Sequence, residues 1–118
     1  MRTHSRTRSI AVLQRRRQKL LSEAASLRLF IGGSWFERFS TCSRPQCACH
    51  QGQRHGPRNY VAVTQEKAQR QHYVPQDQVQ AVKKGIRQYR RLLEIVGEVT
   101  RINLELMRRK ALQKTDNK

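Results

Sequence analysis

A chain of 118 residues with 25 Lys and Arg against 8 Asp and Glu, a formal charge of +17, has material for only a modest core. So few acids argue against a carboxylate-bound metal nuclease, and no triad or phosphate-binding loop is visible. The unbalanced charge repels itself in water and calls for a polyanionic partner, nucleic acid first. The longest apolar run, 27–33, is interrupted by Arg28 and falls short of the roughly 18 residues of a membrane span, so no membrane partner is expected.

Residues 1–8 hold Arg2, Arg6 and Arg8 and no acid, and read as a disordered basic arm, an organellar transit peptide being the other reading. From Ser9 the pattern changes. Ile10, Leu13, Leu20, Ala24, Leu27 and Ile31 recur at helical spacings, which predicts a helix over 9–30, with Ser9 as its N-cap and Gly32-Gly33 as its end. Arg15, Arg16, Arg17 and Lys19 crowd its early turns. A solvated face is the bland reading of such a cluster, and the net charge turns it towards phosphate contact.

Residues 34–41 include Trp35, Phe36 and Phe39 without helical period and predict a strand whose aromatics form core rather than a base-stacking surface. A second strand is predicted over 59–64, then a polar connection through Gln65 to Ala68, then a third strand over 70–74 that stops at Pro75. Together they make a small three-stranded antiparallel sheet. A long helix is predicted over 76–112, with Asp77 in its first turn and Arg108, Arg109 and Lys110 at its end, as the helix dipole favours. One stripe of Val79, Val82, Ile86, Tyr89, Leu93 and Val96 gives way to another of Leu92, Ile95, Val99, Ile102 and Leu106, a coiled-coil-like seam. At about 55 Å against roughly 33 Å, this helix outreaches the first, so its distal half is expected to pair with a second copy through Leu92, Ile95, Val99, Ile102 and Leu106. Gly85 and Gly97 cost helix propensity, to be offset where a neighbouring backbone packs closely. Residues 9–112 read as one α+β domain and 113–118 as a disordered tail.

Between the first two strands lie all three cysteines. An odd number crowded together argues against a secreted disulfide scaffold and for a reducing cytoplasm. Zinc takes four Cys or His ligands in a tetrahedron; Cys42, Cys47 and Cys49 offer three thiolates, and His55 or His50 the fourth. His55 is preferred, because Gly52 and Gly56 let the loop curl back while Pro45 and Pro57 stiffen it. The competing readings are free, partly buried thiols and a Cys–His nucleophile, for which no oxyanion loop or orienting acid is present. Arg44, Arg54 and Arg58 surround this stretch and join the arginines above as candidate phosphate contacts.

Cys42-x4-Cys47-x-Cys49, His55-Gly56-Pro57 leading into a strand with Tyr60, Tyr73-Val74-Pro75, Tyr89-Arg90-Arg91-Leu92 and Asn103-Leu104-Glu105-Leu106 together resemble a family of small uncharacterised bacterial and archaeal proteins. These are filed as a domain of unknown function and are often found near transposases. The resemblance spans 35–109 and implies a zinc-ribbon-like hairpin flanked by helices and an association with DNA mobility. The functional expectation is a non-enzymatic nucleic-acid-binding accessory protein of a mobile element, cytoplasmic and nucleoid-associated, with DNA ahead of RNA. Two alternatives stand beside it: an adaptor that binds a transposase or recombinase through the long helix, and a ribosome- or RNA-associated protein.

Overall fold

The computed structural model describes residues 8–113, so residues 1–7 of the arm expected over 1–8, with Arg2 and Arg6, and residues 114–118 of the tail lie outside the described residues. Helix α1 (Ile10–Ser26) is followed by strands β1 (Gly33–Ser40), β2 (His55–Gln65) and β3 (Ala68–Tyr73) and by helix α2 (Val79–Arg108). Short 3-10 turns occupy Ala48–Gln51 and Gln76–Gln78. The architecture is α+β: an N-terminal helix, a three-stranded antiparallel sheet ordered β1-β2-β3, and a long C-terminal helix.

Helix α1 starts as its cap residue predicts, with the Val12 N–H donating to Ser9 Oγ at 3.1 Å. It ends four residues before 30, and not at Gly32-Gly33. The Leu27 N–H turns back to Ala24 O at 3.1 Å, and the chain beyond it is drawn to other partners: the Leu29 N–H donates to Gln88 Oε1 at 2.8 Å and the Ile31 N–H to Gly85 O at 2.9 Å. The β2–β3 hairpin turns through Glu66 and Lys67, both at positive φ (52° and 68°), the twist that two-residue hairpin loops need. Helix α2 is shorter than predicted at both ends. The 3-10 turn precedes it, and a Schellman motif closes it, with Lys110 at φ 59°, the Lys110 N–H on Met107 O at 3.0 Å and the Ala111 N–H on Leu106 O at 2.8 Å.

The chain packs as two compact units, Leu29–Gln88 on one hand and, on the other, the chain up to Arg28 together with the chain from Tyr89 on. In the first, Val61, Val74, Val79 and Ile86 are buried, with Ile31, Trp35, Val63 and Val82 packed against them, so the opening turns of α2 cover one face of the sheet. In the second, Leu13 and Leu20 of α1 bury Ile95, Ile102 and Leu106 of α2, and Ala111 closes the end; Val99 packs against this core. The distal half of α2 therefore has its partner within the chain. Of the stripe expected to self-associate, Leu92, Ile95, Val99, Ile102 and Leu106, the three residues Ile95, Ile102 and Leu106 are buried in the core of the helix pair. Helix α1, 17 residues and about 26 Å long, packs on the part of α2 that carries Ile95, Ile102 and Leu106.

Ion pairs join the two helices of this unit. Arg91 grips both carboxylate oxygens of Glu23, at 2.6 and 2.7 Å, and Arg16 meets Glu98 at 3.1 Å; locally, at the end of α2, Glu105 takes Arg108 and Arg109, each at 2.7 Å. The Arg91 guanidinium holds Glu23 below the usual carboxylate range, and Arg108 and Arg109 do the same for Glu105. A carboxylate depressed by folding stabilises above its ordinary pKa and ceases to as pH falls through the folded value. Glu23→Gln is therefore expected to lower the thermal midpoint near neutrality, and the gap from wild type should close as pH drops below about 4.5. A gap that persisted unchanged in acid would show that the loss lies elsewhere than in the Glu23–Arg91 pair.

Candidate metal centre and its basic surroundings

Strand β1 ends at Ser40, which pairs with His55 at the start of β2, so the intervening loop leaves and re-enters the sheet at one place. Strand β2 begins four residues earlier than the 59 predicted, because His55-Gly-Pro57 is extended and runs beside β1. Gly56 is needed there: its φ is +126°, and a Cβ on it would come within 2.8 Å of Arg38 O. Inside the loop the backbone winds tightly, with the Cys47 N–H on Arg44 O at 3.2 Å and the His50 N–H on Cys47 O at 3.1 Å. Gly52, left-handed at φ 106°, ends the 3-10 turn that this starts.

These turns bring Cys42, Cys47, Cys49 and His55 together, their four ligand atoms all within 4.8 Å of one another. Cys47 Sγ is 3.2 Å from His55 Nε2, and Cys42 Sγ is 3.6 Å from Cys49 Sγ. Ligands held about 2.3 Å from a zinc ion at tetrahedral angles stand roughly 3.8 Å apart, so the set is close to the size that a metal ion requires. Cys49 is the buried member at 2% exposure, and its sulfur accepts the Cys42 N–H at 3.2 Å. Backbone hydrogen bonding at Arg44, followed by the His55 ring, lowers the Cys42 thiol to about 6, whereas burial pushes Cys49 up. All three cysteines are free thiols. Of the two histidines open as fourth ligand, His55 joins the cluster, while His50 sits exposed on the 3-10 turn.

The arginines fall into different situations. Arg44 lines a cavity of about 430 Å³ with Pro45, Gln46 and Cys47, and Arg54 and Arg58 are exposed beside the loop. Arg8, Arg15 and Lys19 are exposed in the helical unit. Arg16 and Arg17, also expected to meet phosphates, are half-buried and have partners within the chain. Arg16 is paired with Glu98, and Arg17 donates to Asn103 Oδ1 at 2.8 Å and to Leu112 O at 3.4 Å, so both tie α1 to the C-terminal part of the chain. One basic residue near the loop is missing from the sequence-based set. Arg38 is the register partner of Arg58, is exposed, and lies with its guanidinium 4.8 Å from the centre of the Tyr60 ring. Its position two residues after Phe36, on the same side of a strand, is the available signal.

Among the described residues, no helix is long and apolar enough to cross a membrane. A family model described as Domain of unknown function (DUF6788) matches residues 10–84, from the start of α1 through the sheet and the cysteine loop into α2. No curated protein and no solved structure matches the chain.

Proposed function

The chain belongs to the Domain of unknown function (DUF6788) family, which brings no activity with it, and we propose from the site itself a zinc-stapled, non-enzymatic nucleic-acid-binding module. The observation that carries this reading is the convergence of three thiols and one imidazole within 4.8 Å, a soft donor set that suits zinc and would fill a four-coordinate structural site. Zinc bound there fixes the loop to the end of the β1–β2 pair. Arg44, Arg54 and Arg58 are thereby held in one region with Arg38, a positive surface suited to phosphates. The bacterial or archaeal, nucleoid-associated setting and the tie to mobile elements follow from the sequence resemblance and belong to this proposal.

Metal analysis of the purified protein tests the first half, with about one zinc per chain expected. For the second half, affinity for duplex DNA is expected to fall about a thousandfold between roughly 50 and 200 mM salt if six phosphates are neutralised. Arg44→Ala should weaken binding to all sequences alike and reduce the slope of that salt dependence by about one. No binding even at low salt would remove the nucleic-acid reading. A preference for co-purifying RNA would turn it towards the RNA-associated alternative.

The adaptor reading draws on a different observation. Leu93, Val96, Leu104 and Met107 of α2 are 45 to 54% exposed, an apolar strip outside the helix-pair core that a transposase, a recombinase or a second copy could cover. Leu93→Glu with Met107→Glu should abolish such an association and leave nucleic-acid binding intact.

A further inference from the structure

The open face of the sheet carries a row of rings. Successive residues of a strand point to opposite faces, so the pairing of Trp35 with Val61, both in the core of this unit, turns the neighbouring row the other way. That row is Phe36, Tyr60 and Tyr73, one residue from each strand in direct register. Phe36 and Tyr60 are stacked, with centroids 5.4 Å apart and planes 17° from parallel. Tyr73 meets Tyr60 edge-on, at 5.8 Å and 71°, and is 56% exposed. Arg38, one residue pair further along, lies over Tyr60 and donates to Gln71, and Arg58 is its partner across the strands. Ala62, next after Tyr60 on this face, is small, and no strand residue of the face is acidic.

We propose that this face is a stacking platform for the unpaired bases of a single-stranded nucleic acid, with Tyr73 and Phe36 offering ring surface and Arg38 and Arg58 meeting the backbone. The proposal rests on the nucleic-acid reading above and narrows it to a ligand class. Phosphate contact alone would be satisfied by arginines and gives no reason to place three of the seven aromatic residues in one row away from the core. In a duplex the base faces are already stacked on one another, so exposed rings beside arginines select strands whose bases are free. The Arg38 guanidinium stacked on Tyr60 extends the same flat, cationic surface.

The test compares three probes on the full chain at one salt concentration: a short oligothymidylate, an abasic deoxyribose-phosphate chain of the same length, and a duplex. Oligothymidylate should bind about tenfold or more tightly than the abasic chain, which carries the same phosphates without bases. Tyr73→Leu and Phe36→Leu keep apolar bulk but remove the π face; each should erase about tenfold of that preference and leave duplex affinity unchanged, while Tyr73→Phe should retain it. Equal binding of the oligothymidylate and the abasic chain, or a preference that survives both leucine variants, would overturn the platform while duplex binding still upheld the broader reading. Binding of none of the three probes would remove both. Repeating the comparison with oligouridylate separates RNA from DNA as the source of the bases.

Discussion

Cys49→Ser is expected to leave the protein without stoichiometric metal and to abolish cooperative melting of the sheet unit at physiological temperature. Cys49 is the most buried of the four donors, and its sulfur also accepts the Cys42 N–H, so the substitution strikes the inside of the cluster. A serine hydroxyl stays protonated where a thiolate would bind, and the remaining Cys42, Cys47 and His55 make only three corners of a tetrahedron. Structural zinc contributes on the order of 10 kcal/mol or more to the folding of small domains, comparable with the whole stability of an ordinary one. The buried apolar set of this unit, Val61, Val74, Val79 and Ile86, is small, which leaves little to compensate. A strong chelator should act on the wild type as the substitution does, whereas His50→Ala should retain metal and stability, since His50 is exposed and outside the cluster. A wild type that is purified free of metal, melts cooperatively and ignores chelator would overturn the zinc staple.

What the sequence makes legible follows the reach of its local signals. The two helices, the Ser9 cap, the three strands and the cysteine loop all rest on periods and residue types within a few positions, and the structure has them. So does the choice of His55, which follows from the glycines and prolines that let the loop return. The errors arise where spacing agrees by coincidence with a contact made elsewhere. Ile31 keeps the helical step from Leu27 yet belongs to the sheet core, so periodicity alone overextends the first helix by four residues. His55-Gly-Pro57 has turn composition, and only its pairing with β1 makes it strand. Trp35 and Phe36 are adjacent and equally aromatic. Nothing short of the cross-strand register says that the first enters the core and the second faces away, so composition assigns both to the core and hides the row that Phe36 forms with Tyr60 and Tyr73.

Gly85→Ala and Gly97→Ala, the same change in the same helix, are expected to have opposite signs. Each glycine weakens a helix by about 0.8 to 1 kcal/mol relative to alanine, so a free position should gain that much on substitution. At Gly97 an added Cβ would meet nothing nearer than the tip of the Arg101 side chain at 3.7 Å, an ordinary contact with a group able to move. At Gly85 the Cβ would land on the Leu29 carbonyl and press on Ile31 at 3.2 Å. That segment has little freedom to retreat. The Leu29 N–H is held by Gln88 Oε1 at 2.8 Å, the Ile31 N–H by Gly85 O itself at 2.9 Å, and the Ile31 side chain packs against the buried core. Forcing the backbone apart would stretch these hydrogen bonds and lift Ile31 off the core that includes Ile86, a loss that helix propensity is too small to offset. Overpacking of this kind costs typically about 1 to 3 kcal/mol, and contact with backbone rather than a side-chain tip places Gly85→Ala at the upper end, so that after the propensity gain of about 1 kcal/mol the net loss is about 2 kcal/mol. Gly97→Ala should raise the denaturation midpoint and Gly85→Ala should lower it markedly. Equal and positive shifts would mean that the Leu29–Ile31 segment does not pack on α2 at Gly85.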